Sequence, residues 1–127
     1  MEENKTVHSY KDLIVWQRAM ELVVAIYQIT EQFPRSEIYG IISQMRRAAV
    51  SIPSNIAEGR RRGGQKEFRQ FLLISYGSGA ELETQIEISK RLPFGKSLDY
   101  RKVDLLLLEA MKMLNKILSS LSISLRS

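Results

Sequence analysis

The chain has no cysteine, one histidine, one tryptophan and three prolines. Without cysteine it forms neither a disulfide nor a thiolate metal site, which fits a reducing compartment. The single histidine, His8, lies in the polar opening MEENKTVHSYKD. Nothing around it resembles a general-base site, so Ser/His and Cys/His catalysis are not expected. The Glu-x-x-His di-iron site of four-helix proteins is excluded in its usual form, because no predicted helix carries a histidine. The opening is acidic at its start and has no apolar core, unlike a signal peptide. Leu105 to Leu108, the longest apolar candidate, is flanked by Asp104 and Glu109 and falls far short of the ~20 residues that span a bilayer. These absences predict a cytoplasmic protein that is not an enzyme, with no cofactor, no metal and no membrane segment.

What is present reads as helix. The 127 residues suit one domain over 1–127, with a flexible tail at 1–9 and a frayed end at 122–127. There is no strand alternation, no repeat and no low-complexity segment. The first helix is expected over Tyr10–Gln32, stopping before Pro34. Leu13, Trp16, Met20, Val23 and Tyr27 mark its core face, and Val15, Leu22, Val24 and Ile26 form a surplus apolar set. The second is expected from Ser36, as a cap, to Gly59–Arg62, with Ile38, Ile42, Met45, Ala49, Ile52 and Ile56 on one face. The third spans Gln65–Arg91. Its small-residue centre, SYGSGA, allows close helix approach at a cost in propensity. The fourth follows Ser97 to about Ser120 with a broad stripe from Val103 to Leu121, widened by Leu105 and Leu108.

Four helices with short connections imply an all-α, up-down-up-down antiparallel four-helix bundle. Pro53, inside the second helix, removes a hydrogen bond from the carbonyl of Ala49 and predicts a kink there, with that carbonyl taken by water or a serine. The surplus apolar faces of the first and fourth helices predict self-association, since a monomer would expose a large apolar patch.

The net charge is +5, and its location is informative. Arg46, Arg47, Arg60, Arg61, Arg62, Lys66 and Arg69 lie between positions 46 and 70 with only Glu58 and Glu67; elsewhere cations and anions balance at twelve each. Such an excess attracts phosphate or an acidic partner. On a helical wheel these arginines do not form one stripe. Arg46 and Arg60 flank a surface of Val50, Pro53 and Ala57, and Arg47 points towards Ser54 and Glu58. The tyrosines and Trp16 do not interleave with the window in sequence, as stacking platforms would; Tyr76 is the nearest and lies beyond it. Gly63-Gly64 lacks the pattern of a phosphate loop and reads as a turn. Glu81, Glu83 and Glu87, followed by Lys90 and Arg91, read as a solvated, ion-paired face.

The segments YKDLIVWQRAMEL (10–22), SQMRRAAVSIPSNIAEG (43–59), EFRQFL (67–72) and GSGAELETQIEISKRL (77–92) resemble the bacterial four-helix-bundle family encoded in intervening sequences of the large-subunit ribosomal RNA gene. The chain is also similar to the accessory proteins of diversity-generating retroelements, pentameric barrels that bind nucleic acid and a reverse transcriptase. The resemblance implies a homopentameric ring with basic surfaces, matched here by Arg46, Arg47 and the arginines after Gly59. The function expected is electrostatic binding of nucleic acid, RNA or DNA, by an oligomer. The alternative is a scaffold ring that docks a partner protein without touching nucleic acid.

Overall fold

The computed structural model describes residues 9–126, and the side chains of residues 9–122; His8 lies outside them. The fold is four helices: α1 (Ile14–Thr30), α2 (Ile41–Arg62), α3 (Gln65–Arg91) and α4 (Arg101–Arg126). Helix α1 packs on α2 and α4, and α3 packs on the same two, with no close backbone approach across the diagonals among the described residues. That is the expected antiparallel four-helix bundle.

Helix α1 is shorter than expected at both ends. Tyr10–Asp12 form a separate 3₁₀ turn capped by the Ser9 side chain, and Leu13 is extended. At the other end the Thr30 hydroxyl donates back to the Ile26 carbonyl at 2.7 Å. Turn hydrogen bonds from Gln32 to the Ile29 carbonyl and from Phe33 to the Thr30 carbonyl then carry the chain to Pro34, whose ring disfavours helix in the residue before it. Ser36 is not a cap. It falls in a 3₁₀ turn, Arg35–Glu37, and α2 starts after Gly40. Ile38 is therefore outside the helix and half exposed.

The core face of α1 is turned by one position, about 100°, from the one expected. Val15, Ala19, Leu22, Ile26 and Ile29 are buried, while Met20, Val24 and Tyr27 are exposed and Trp16 and Val23 are partly buried. An apolar helix can turn either face inward, and the alanines decide it. Ala19 and Ala25 are buried, letting α1 sit close to its neighbours, whereas the face with the large rings stays at the edge.

Helices α2 and α3 are the most intimate pair. Gly59 lies where an added Cβ would stand 2.7 Å from the Phe71 Cβ. The SYGSGA stretch works as expected in two directions. The buried Ser75 donates to the Ile52 carbonyl at 2.8 Å, Ser78 lies 2.8 Å from Ser51 across the α2–α3 seam, and Gly79 faces Met111 of α4. Helix α2 runs through Pro53 without a break. The serine beside the proline meets the Ile52 carbonyl rather than that of Ala49, the one the proline ring leaves without its helical donor.

Gly63 ends α2 with φ of 90°, a left-handed conformation that costs a side-chain-bearing residue about 1 kcal/mol or more. The α3–α4 connection is held by Tyr100, whose buried hydroxyl donates to the Gly95 carbonyl at 2.9 Å. Asp99 then accepts from the Arg101 backbone and guanidinium, so α4 begins at Arg101, later than expected. It continues to Arg126, past the expected end at Ser120.

Candidate nucleic-acid interface

The seven basic residues of the window fall into three groups. Arg46 is half-buried and bound internally. Its Nε donates to the Thr30 hydroxyl at 2.9 Å, its guanidinium lies 4.4 Å from the centre of the Tyr27 ring, and Glu31 is 3.8 Å away. These partners all lie at the end of α1, so Arg46 ties α2 to α1. Arg69 is also anchored, donating from Nε to Ser122 of α4 at 3.0 Å.

Arg60, Arg61, Arg62 and Lys66 form the second group, exposed around the left-handed turn at Gly63. The helix presents three arginines there because its last carbonyls carry partial negative charge that favours cations. Arg62 pairs with Glu58 at 2.8 Å and lies 5.1 Å from the Phe71 ring. Arg61 lies 5.6 Å from the Tyr10 ring. Two of these guanidiniums are thus laid on aromatic faces and keep a solvent-facing edge. The Arg69–Ser122 bond brings the far part of α4 to the same end of the bundle, with Lys112 and Lys116 exposed on that helix.

Arg47 stands apart. It is exposed and has no ion pair among the described residues. At 1.5 Å per residue it lies about 20 Å along α2 from Arg60. The structure therefore joins Arg60, Arg61, Arg62 and Lys66 into one surface and leaves Arg46 and Arg47 towards the other end.

Aromatic rings do interleave with the arginines, contrary to the sequence expectation. Tyr10 and Tyr27 come from the α1 side to lie against Arg61 and Arg46. No spacing rule could show this, because the partners are separated by 51 and 19 positions. Between them, the Val50–Pro53–Ala57 surface forms one wall of an apolar groove whose other wall is Tyr10, Trp16, Met20 and Val23.

The carboxylates of α3 are ion-paired in part. Lys90 bridges Glu87 at 3.3 Å and Asp104 of α4 at 2.8 Å, and these bonds, Asp104 foremost, raise its pKa above the ordinary lysine value. Glu83 has no ion pair among the described residues. Hydrogen bonds from Arg101 hold the exposed Asp99 carboxyl down to about 2. Among the described residues no three side chains of metal-ligating type converge, and no helix is long and apolar enough to cross a membrane.

No curated protein matches the chain. Among solved structures, it is similar to a crystal structure of a protein with unknown function from the S23 ribosomal protein family of Bacteroides thetaiotaomicron VPI-5482. That similarity has a TM-score of 0.72 and 22% identity, and covers 83% of this chain and 98% of the other. It shows the shared fold. The family described as 23S rRNA-intervening sequence protein matches over residues 11–116, from the turn before α1 to the middle of α4. The chain belongs to the 23S rRNA-intervening sequence protein family.

Proposed function

We propose that the chain is a non-enzymatic, oligomeric protein of the cytoplasm that binds RNA or DNA through arginine–phosphate contacts. The observation that carries this reading is the exposed cluster of Arg60, Arg61, Arg62 and Lys66 at the α2–α3 end of the bundle. Contacts of this kind neutralise phosphates and release counterions, with little reading of bases. The rings of Tyr10 and Phe71 beneath Arg61 and Arg62 restrict those side chains beforehand, so less rotamer freedom is lost on binding. Assembly into a ring of five, as the family resemblance implies, would multiply a modest subunit charge into a useful non-specific affinity.

The test is a salt titration of binding to duplex DNA and to structured RNA, comparing the wild type with the triple variant Arg60→Ser, Arg61→Ser, Arg62→Ser. The wild-type affinity should fall steeply with salt, and the variant should show weaker binding with a shallower slope. An unchanged slope overturns the site. The second reading, a scaffold ring that docks a protein partner, is favoured by the apolar groove between α1 and α2. Wild-type protein that binds no nucleic acid even at low salt would select it.

A further inference from the structure

We infer that a polar hollow on the α2–α3 seam takes one unpaired guanine base of a single-stranded nucleic acid. This rests on the nucleic-acid reading proposed above and names the strand form and the base it selects. The hollow measures about 490 Å³, and Tyr39, Gln44, Arg47, Ser51, Ser78 and Glu81 line it. Helix α2 supplies Gln44, Arg47 and Ser51, and α3 supplies Ser78 and Glu81 from the facing side. The floor is made of small side chains that are already satisfied. The Ser51 and Ser78 hydroxyls lie 2.8 Å apart, and Asn55 donates to the Ser51 hydroxyl at 3.0 Å. Such a floor leaves room for a flat ring between the longer side chains.

Two opposite charges border this hollow without neutralising each other. Arg47 and Glu81 are both exposed, and neither has an ion pair among the described residues. Glu81 Oε2 accepts from Nε2 of the buried Gln85 at 3.4 Å, which steadies the carboxylate and leaves Oε1 for a ligand. An arginine fork matches two adjacent acceptors. A carboxylate matches two adjacent donors. Guanine is the base that carries both, with O6 and N7 along one edge and N1–H and N2–H₂ along another. Adenine sets an amino donor beside N7, cytosine has a single donor group, and uracil holds its one N–H between two acceptors. Tyr39 supplies the stacking face. Its ring is 95% exposed and has no partner among the described residues, and an aromatic face of this kind takes a splayed base. In a duplex the N1–H edge of guanine is occupied by cytosine, so the base must come from a single strand or a loop.

Fluorescence anisotropy of the full chain at low salt tests this, with helicity checked by circular dichroism. The probes are labelled oligouridine, plain or carrying one guanosine. The wild type should bind the guanosine oligomer about tenfold or more tightly, the discrimination of one bidentate pair. Adenosine or cytidine at the same position should bind like plain oligouridine. Inosine, which lacks the N2 amino group, should fall between. Glu81→Gln, an exposed change that leaves the core intact, should abolish the preference and keep oligouridine binding near the wild-type level. Tyr39→Ala should weaken the guanosine oligomer about tenfold, the worth of one stacked base. The Arg60→Ser, Arg61→Ser, Arg62→Ser variant should weaken both oligomers and keep their ratio. Equal wild-type affinity for the plain and guanosine oligomers overturns the pocket and leaves the arginine–phosphate reading standing, as does a stronger preference for adenosine or cytidine. A preference that survives in Glu81→Gln overturns the assignment of that carboxylate. Wild-type protein that binds neither oligomer but binds duplex DNA overturns the pocket alone, and protein that binds no nucleic acid overturns both.

Discussion

Arg46 and Thr30 are joined by a hydrogen bond of 2.9 Å that spans the α1–α2 seam. Arg46 is tied to the end of α1 through the Tyr27 ring and the Tyr27 carbonyl as well. An arginine that reads in sequence as part of a basic surface is thus a structural clamp. Arg46→Ala should cost about 1–2 kcal/mol, because it removes a partly buried hydrogen bond and a cation–π interaction at once. Thermal unfolding measures this. The same variant should leave the salt slope of nucleic-acid binding near the wild-type value, in contrast to the Arg60–Arg62 variant.

The inward face of α1 can be tested by truncation. Leu22 is fully buried and Val24 is 54% exposed. Leu22→Ala should cost about 2–5 kcal/mol, the range for a buried leucine that leaves a cavity. Val24→Ala should change stability by less than about 1 kcal/mol, because alanine's higher helix propensity offsets the smaller side chain. Denaturant midpoints at equal slope give both values. Equal effects would mean that the two faces share the core.

Three glycines separate packing from backbone effects. Gly59→Ala should be the most damaging, since its new Cβ meets Phe71 on an adjoining helix. Gly63→Ala has open space around it but a φ of 90°, and should cost about 1 kcal/mol from strain alone. Gly77→Ala also has open space, within α3, and should stabilise the helix by about 0.5–1 kcal/mol. Chemical denaturation of the three variants should rank them in that order.

Burial raises the pKa of the Tyr100 hydroxyl. Lys90 nearby lowers it and Asp104 adds to the rise. The folded state therefore resists ionisation that the unfolded chain undergoes near pH 10. A raised folded pKa contributes stability in full below that unfolded value, and this stability is lost as pH climbs through the folded value. Lys90, raised chiefly by its bond to Asp104, acts in the same direction. Melting temperature should be flat from pH 7 to 9 and fall above about 10. Tyr100→Phe should start lower, without the bond to Gly95, and fall less steeply. A wild-type curve that stays level to pH 11 would contradict this.

Much of the architecture was legible because it depends on local chemistry. Gly63 and Gly64 announced the α2–α3 turn, and the small residues of SYGSGA announced close packing of α3. Two of the boundaries that were missed share one cause. Ser9 and Asp99 redirect the backbone through side-chain hydrogen bonds within a few residues. Their types are compatible with helix, so hydrophobic periodicity runs on past them.

For the candidate site, the sequence located the charge and the structure distributed it. A helical wheel separates Arg46 from Arg47 by angle. It cannot show that Thr30 and Tyr27 take up one of them, or that Tyr10 reaches Arg61. Those partners come from another helix, and their meeting depends on how α1 is rotated.

By itself the sequence determined a cysteine-free helical chain with a glycine turn at the end of α2 and its charge excess in one window. Each of these follows from residue identity and near neighbours. Only the tertiary structure decided which apolar face of α1 turned inward, which arginines became clamps, and which apolar and charged groups were left facing out. Helical periodicity records that a face is apolar. Which face is buried depends on the competition among helices for a limited core, and here α1 turned inward the face that carries Ala19 and Ala25.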